Sequence, residues 1–313
     1  MEPLLSVCII SYNHERYLRE CLQSVVTQIT DFPFEVIIGD DCSTDGTVSI
    51  IDEFVSAHPG LITAFKHSRK VGGTENMLSV HNAAAGEFVA HLDGDDCMLP
   101  GKLQSQMDFM RRHPDHAFVA HDVEVVDPRS RVLRSSFGSG DVPESMGVGE
   151  LVSRGCFFAH SSKVYRRSAA RSRHRDRPTV DFFFHIEQAL SGRVGFINRP
   201  LGRYRLTHTG LSSLRSVFQE GVLRGHLDAY DLAMISGVAP EIVYPALLNF
   251  RYVNAMHCIR GGQLDRFRQL AALGPEELRW ANWRQRAVLG APPPAVYAFA
   301  RLFDSLNRRR RTP

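Results

Sequence analysis

The chain has 313 residues, 43% of them hydrophobic, with 37 Lys+Arg against 34 Asp+Glu and a formal net charge of +3. That length holds one large domain or about two average ones, and the apolar content excludes a globally disordered chain. No run of about 18 apolar residues is present, and the N-terminus lacks a basic segment and a cleavage site, so neither a spanning helix nor a signal peptide is expected.

The pattern along the chain is strand and helix in turn. Residues 5–11, Leu-Ser-Val-Cys-Ile-Ile-Ser, form a short branched apolar run that predicts a buried strand. Asn13 is placed to cap a helix that carries Tyr17, Leu18, Cys21, Leu22, Val25 and Val26 at helical spacing. A second strand over 34–39 ends on Asp40-Asp41-Cys42-Ser43-Thr44-Asp45-Gly46, and a helix with Val48, Ile51, Phe54 and Val55 on one side follows. Residues 61–66 read as a strand, and Gly72-Gly73 precedes a helix to about Ala85. A strand over 87–92 ends at Asp93-Gly94-Asp95-Asp96, Pro100 opens a helix to about His113, and 117–126 is a strand. This alternation predicts an α/β fold with a mostly parallel central sheet and helices on both faces.

After Asp127 the pattern weakens. Residues 135–149 are rich in Gly and Ser and read as a loop. Strands are expected over 163–167, 193–197 and 201–206, with a helix over 180–190, and the chain is helical from Ser213 onward. The expected organisation is one domain over 1–212, in halves 1–127 and 128–212, followed by a helical region over 213–313.

Charge divides at the same place. Residues 1–127 hold 20 acidic and 8 basic side chains, a net of −12, and residues 128–313 carry +15. Arg outnumbers Lys by 33 to 4, and Arg suits phosphate and carboxylate recognition. The six cysteines are scattered with no CxxC, and the fourteen histidines form no HExxH, so a disulfide framework or a transition-metal site is not expected.

The acidic half carries its most telling residues at strand ends. In open α/β sheets ligands bind outside the carboxyl ends of the strands. Asp40, Asp41 and Asp45 follow the second strand, and Asp93, Asp95 and Asp96 follow the fourth. Like charges crowd there only if a cation or donor groups compensate them. Hard carboxylate oxygens favour Mg²⁺ or Mn²⁺, held by one or two carboxylates plus substrate phosphates. This points to a metal-bound nucleotide diphosphate; the plainer alternative has one Asp of each cluster capping the next helix. Neither GxGxxG after the first strand nor GxxxxGK[ST] is present, which argues against dinucleotide and P-loop enzymes.

Three segments resemble family 2 glycosyltransferases: Val7-Cys8-Ile9-Ile10-Ser11-Tyr12-Asn13-His14-Glu15-Arg16-Tyr17-Leu18, Ile37-Ile38-Gly39-Asp40-Asp41-Cys42-Ser43-Thr44-Asp45-Gly46-Thr47, and Gly86-Glu87-Phe88-Val89-Ala90-His91-Leu92-Asp93-Gly94-Asp95-Asp96. The resemblance implies a bacterial-type GT-A fold and inverting transfer of a sugar from a nucleotide donor. It implies that Ser11, Tyr12, Asn13, Glu15 and Asp40 border the nucleotide base, with Gly72 and Asn76 beside it. Asp93, Gly94 and Asp95 form the DxD segment, with Asp95 as the metal ligand and Asp93 near the ribose, diphosphate and metal. Lys102 falls at a position often basic in the family, and a solvated helix-face lysine accounts for it equally well.

Inverting transfer needs a base for the acceptor hydroxyl. The resemblance assigns it to Asp181 in Thr179-Val180-Asp181-Phe182, with Glu187 as the second choice; Asp181 also reads as a helix cap. Arg203, Arg205 and His208 offer donors for a leaving diphosphate. The acceptor expected from the resemblance is a glycan or lipid-linked saccharide of a surface polymer, the donor a UDP-sugar, and the location cytoplasmic. Residues 296–311, ending in four arginines, read either as an amphipathic helix on the anionic inner membrane face or as a packed helix with a solvated tail. No nucleic-acid-binding module is recognised. Two alternatives stay open: a catalytically silent nucleotide-sugar-binding scaffold, and nucleotidyl transfer on a similar sheet.

Overall fold

A computed structural model describes residues 2–138, 141–171, 179–207, 220–260, 263–271 and 273–290. The chain divides into two compact units, Met1–Leu232 and Ala233–Pro313.

The first unit is built on one mixed sheet. Its strands are β1 (Leu5–Ser11), β2 (Phe34–Asp40), β3 (Ile62–Lys66), β4 (Phe88–Asp93), β5 (Cys97–Met98), β6 (His116–Val126), β7 (Val132–Arg134), β8 (Ser145–Met146), β9 (Val164–Arg166) and β10 (Arg193–Arg205). The main order is β3-β2-β1-β4-β9-β6-β10-β5. β1 pairs in parallel with both β2 and β4, β2 with β3, and β6 with β10. β9 is inserted antiparallel between β4 and β6, so the six longest strands all point one way. The expected parallel sheet therefore holds for the long strands, with short antiparallel strands added.

Helices α1 (Leu18–Val26), α2 (Thr47–Ala57), α3 (Gly73–Ala83), α4 (Lys102–Arg112), α5 (Val148–Arg154) and α6 (Asp181–Ala189) accompany the sheet. β1 is apolar on both faces because both are covered, and its Leu5, Val7 and Ile9 join Leu18, Leu22, Val25, Ile51, Leu103 and Met107 in the core. Helix α7 (Glu220–Ile235) spans the unit boundary.

Several boundaries differ from the expected ones. Asn13 does not cap α1: it sits at φ +55°, its Oδ1 accepts the Thr44 N–H at 2.8 Å, and the helix begins only at Leu18. Neither Asp41 nor Asp96 caps a helix, since α2 and α4 are preceded by Gly46 and Gly101. The two strands expected over 193–206 are one strand, β10, irregular around Pro200, which has no N–H to give to the ladder. The expected loop over 135–149 contains β8, paired with β10.

The second unit contains α8 (Pro240–Arg260), α9 (Leu264–Ala271), α10 (Pro275–Trp280) and α11 (Trp283–Leu289). Asn282 caps α11 by accepting the Gln285 N–H at 3.0 Å, and a half-buried Arg251–Glu277 pair at 3.1 Å ties α8 to α10. No described helix is long and apolar enough to cross a membrane. His208 and the 291–313 segment with its arginines lie outside the described residues.

Candidate active site

The register of the sheet aligns the carboxyl ends of β1, β2 and β4: Ser11 is opposite Asp40, and Ile10 is opposite Asp93. The residues expected to border a nucleotide therefore converge at one sheet edge. The loops there are stitched together by their own carboxylates and amides. Asp40 is buried, and its two oxygens accept from the Ser43 hydroxyl and, at 2.9 Å, from the Ser43 N–H. Asp41 accepts from the Val71 N–H at 2.6 Å and the Gly72 N–H at 3.0 Å, anchoring the loop that enters α3. Gly72 caps α3 at φ +93°, a conformation that favours glycine. Glu15 accepts from the Gly46 N–H at 3.1 Å, and Asp45 from the Glu15 N–H at 3.2 Å. Asn76 is buried and donates to the Gly39 carbonyl at 2.9 Å. Tyr12 remains half-exposed, with Lys70 Nζ 3.6 Å from its ring centroid.

Gly94 permits the close approach of β4 to β1. Its N–H donates to the Ile10 carbonyl at 2.9 Å, and a Cβ there would lie 2.8 Å from His14 Nδ1 and 3.0 Å from that carbonyl oxygen. Beside it Ser11 Oγ and His14 Nδ1 are buried without a hydrogen-bond partner among the described residues. Buried polar atoms left open in this way fit a ligand that completes them.

The three carboxylates after β4 have unequal surroundings. Burial alone would raise the Asp93 carboxyl. The hydrogen bond from His91 Nε2 at 3.3 Å, the nearby His91 and His14, and the Ser161 hydroxyl at 3.2 Å together bring it below the usual range. Asp95 is pushed up by burial and by Asp93, with His14 acting against them. Asp96 is pushed well up by burial, then by Asp95 and Asp93; its Oδ1 accepts the Arg205 N–H at 2.8 Å. Such a set is strained at neutral pH and gains from a cation, so Asp93 and Asp95 fit a divalent metal. Among the described residues, the three-residue group with metal-ligand spacing is elsewhere, His113, Asp115 and His116 at the opposite end of β6. Both ring nitrogens of His116 are already 2.9 Å from Asp115 and Ser145.

Asp181 is the first residue of α6, and Val180 precedes it as the cap. Its position at the helix N-terminus suits a negative charge. The side chain reaches solvent yet lies deep among protein atoms; that burial and the charge of Asp93 push its carboxyl up to about 6, against His91 and Lys163. Thr179 donates its N–H to Thr74 Oγ1 at 3.1 Å, tying the start of α6 to α3. Glu187 is buried further along α6 and accepts the Arg171 N–H at 3.3 Å.

Arg203, Arg205 and Lys102 are each engaged by groups of the protein itself. Arg205 is buried, and its guanidinium donates to the Asp95 carbonyl at 2.8 Å, the Asp127 carbonyl at 3.2 Å, Ser130 Oγ at 2.9 Å and Glu20 at 2.8 Å. It acts as a clamp behind the DxD turn. Arg203 pairs with Glu124 at 3.0 Å. Lys102 is not a solvated lysine: it is fully buried, donates to the Ser161 carbonyl at 2.9 Å, and is pushed down to about 7 by burial, against Asp96. Sequence reasoning missed Ser161, His14 and His91. His91 alone left a trace, being a polar residue inside an apolar strand on the same face as Asp93.

Comparison with known proteins agrees with this geometry. The fold is a GT-A-like glycosyltransferase fold: the crystal structure of S. aureus TarS 1-349 in complex with UDP-GlcNAc superposes with a TM-score of 0.62 at 17% identity, over 96% of this chain and 89% of that one. The model of Glycosyl transferase family 2 matches residues 6–173, and the chain belongs to that family. An uncharacterised protein of Mycobacterium tuberculosis (strain ATCC 25618 / H37Rv) is 32% identical over 232 residues, which are 71% of this chain and 65% of that protein. The chain thus spans about two thirds of that relative's length. The putative teichuronic acid biosynthesis glycosyltransferase TuaG of Bacillus subtilis (strain 168) is 33% identical over 218 residues, 68% of this chain and 82% of that protein.

Proposed function

We propose that this protein is a metal-dependent inverting glycosyltransferase that moves a sugar from a nucleotide donor, a UDP-sugar by preference, to a hydroxyl of a glycan or lipid-linked saccharide. The observation that carries the reading is the meeting of Asp93 and Asp95 with Ser11 and Asp40 at one sheet edge, with Asp181 close enough for Asp93 to raise its carboxyl. Family membership supports the chemistry, the UDP-GlcNAc in the TarS structure supports the donor class, and the name of TuaG supports a surface-polymer acceptor. The absence of a spanning helix among the described residues is compatible with a cytoplasmic site, to which residues 296–311 would add contact with an anionic membrane.

In this reading Ser11, Tyr12, Asn13, Asp40 and Asn76 shape the nucleotide pocket. Glu15 and Gly72 hold its loops. Asp93 and Asp95 hold Mn²⁺ or Mg²⁺, which when bound neutralises charge on the departing diphosphate. Arg205 keeps the Asp95 backbone in place, and His208 adds a donor to the diphosphate. Asp181 takes the proton of the acceptor hydroxyl as its oxygen attacks the anomeric carbon. The bond from that carbon to the diphosphate oxygen breaks, the electron pair leaves with the nucleoside diphosphate, and the anomeric centre is inverted.

The test is a thermal-shift screen of nucleotide sugars with and without Mn²⁺, followed by product analysis. A preferred donor raises the melting temperature by mass action. Release of a nucleoside diphosphate supports the proposal. Pyrophosphate release would indicate nucleotidyl transfer, and donor binding with no turnover on any acceptor or water a silent scaffold.

A further inference from the structure

Behind the DxD strand a chain of buried polar side chains runs from α3 and β9 to Asp93. Tyr165 Oη is 2.8 Å from His81 Nδ1, His81 Nε2 is 2.9 Å from His91 Nδ1, and His91 Nε2 is 3.3 Å from Asp93 Oδ1. Tyr165 and His91 are almost fully inaccessible, and His81 is 8% exposed. His160, itself 2.9 Å from His185, packs its ring 3.9 Å from that of His91.

Elementary donor and acceptor rules constrain this chain. A carboxylate only accepts, so His91 Nε2 carries the hydrogen. One proton then lies between His91 Nδ1 and His81 Nε2. Either His81 donates it and receives the Tyr165 hydroxyl at Nδ1, or His91, then carrying a hydrogen on both ring nitrogens, donates it and His81 passes its own Nδ1 hydrogen to Tyr165. Both arrangements leave the donor on His91 aimed at Asp93. Burial keeps His81 well below its ordinary value, so it holds one hydrogen and the chain stays continuous. The second carboxylate oxygen of Asp93 accepts from Ser161 Oγ at 3.2 Å, and Ser161 Oγ in turn accepts the Asp93 N–H at 3.0 Å. Both oxygens are therefore held from the protein side, while the side chain stays 32% exposed toward the cleft.

We propose that Tyr165, His81 and His91 form a positioning relay that fixes the Asp93 carboxylate in the orientation that receives the metal–nucleotide. The inference rests on the assignment of Asp93 and Asp95 to donor and metal. Outer partners of ligating carboxylates tune metal affinity. The rival account is mere adhesion of α3 to the sheet, which would show in stability and not in metal affinity.

The experiment measures Mn²⁺ binding by electron paramagnetic resonance in the presence of UDP, on the full chain, with melting temperatures recorded alongside. Wild-type UDP binding is first compared with and without Mn²⁺; indifference to Mn²⁺ would overturn the donor-site reading and the relay together. Given that dependence, His91→Leu, which keeps bulk but loses the donor, is expected to weaken Mn²⁺ about tenfold, and His91→Gln, whose amide reaches the same place, to recover most of it. Tyr165→Phe, which keeps the packing and serves alone if His91→Leu does not fold, is expected to weaken Mn²⁺ about threefold with an unchanged melting temperature. Mn²⁺ affinity unchanged in the folded variants, whatever their melting temperatures, overturns the relay.

Discussion

The proposed base makes a quantitative statement about pH. Asp181 is pushed up from 3.8 to about 6, first by burial and then by Asp93. The base acts only when ionised, so turnover rises as pH climbs through about 6. About one molecule in eleven has an ionised Asp181 at pH 5 and about ten in eleven at pH 7, so kcat/KM changes about tenfold over that interval. An ordinary aspartate would already be ionised at pH 5 and give a flat profile. Because Asp93 is one cause of the shift, Asp93→Asn should move the Asp181 titration down when the carboxyl is followed by NMR in the metal-free protein, although burial keeps it above 3.8. Asp181→Asn should bind the donor normally and lose about 10²- to 10⁴-fold in kcat at pH 7. The stability sign follows the same shift. The folded state binds the Asp181 proton more tightly than the unfolded one, so this group costs stability as pH rises from about 4 to 6, and Asp181→Asn should melt higher at pH 7. The assay is release of the nucleoside diphosphate between pH 5 and 8 at limiting Mn²⁺ and donor, where the profile of kcat/KM reports the free enzyme. A profile flat from pH 5 to 7, or Asp181→Asn with near-normal kcat, would refute the assignment.

Three further substitutions separate chemistry from architecture. Asp95→Ala should abolish Mn²⁺-dependent UDP binding by calorimetry, and the metal-free variant should melt higher because burial and Asp93 disfavour its charge; undiminished Mn²⁺-dependent affinity would remove Asp95 as the ligand. Gly94→Ala should cost about 1–3 kcal/mol and weaken UDP, because the added methyl meets His14 and the Ile10 carbonyl; a neutral denaturation midpoint would contradict the close approach. Arg205→Ala should cost about 2–4 kcal/mol, mainly by leaving the Asp95 and Asp127 carbonyls without their donor, a loss visible in urea melts without any ligand; a change in activity alone would return Arg205 to the diphosphate.

The parts of the fold legible in the sequence are those where one local rule acts alone. β1 and β4 are apolar runs, interrupted only by Ser6 and His91, because both faces are covered, and β4 is closed by Asp93 and Gly94. β10 is less legible: 193–197 and 201–206 read as two strands, while the structure carries one strand through Pro200 with shifted register. The site divides in the same way. Asp40, Asp93, Asp95 and Asp181 stand out as carboxylates at element ends. The relay does not, because residues 81, 91 and 165 come together only when α3, β4 and β9 pack. The partners of Arg205 were hidden for a related reason: the four groups that its guanidinium meets are spread from Glu20 to Ser130.

The acidic excess of the front half also resolves into two kinds of carboxylate. Asp40, Asp41, Asp45 and Glu15 accept hydrogen bonds from neighbouring loops, so their charge is already matched by backbone amides and a hydroxyl. Removing Asp41 would strand the Val71 and Gly72 N–H groups at about 1–3 kcal/mol each. Asp95 and Asp96 are different, since burial raises both, with Asp93 adding to each and Asp95 to Asp96. A chain selected for stability alone would hold neutral side chains there. The same sheet edge therefore carries carboxylates that build the pocket and carboxylates held at a cost, and a bound cation offsets only the second kind. Chelation of a metal-loaded protein should accordingly leave the loops at Asp40 and Asp41 intact in hydrogen exchange and change protection only around 93–96. Loss of protection across both loops would mean that the two groups are one structural unit.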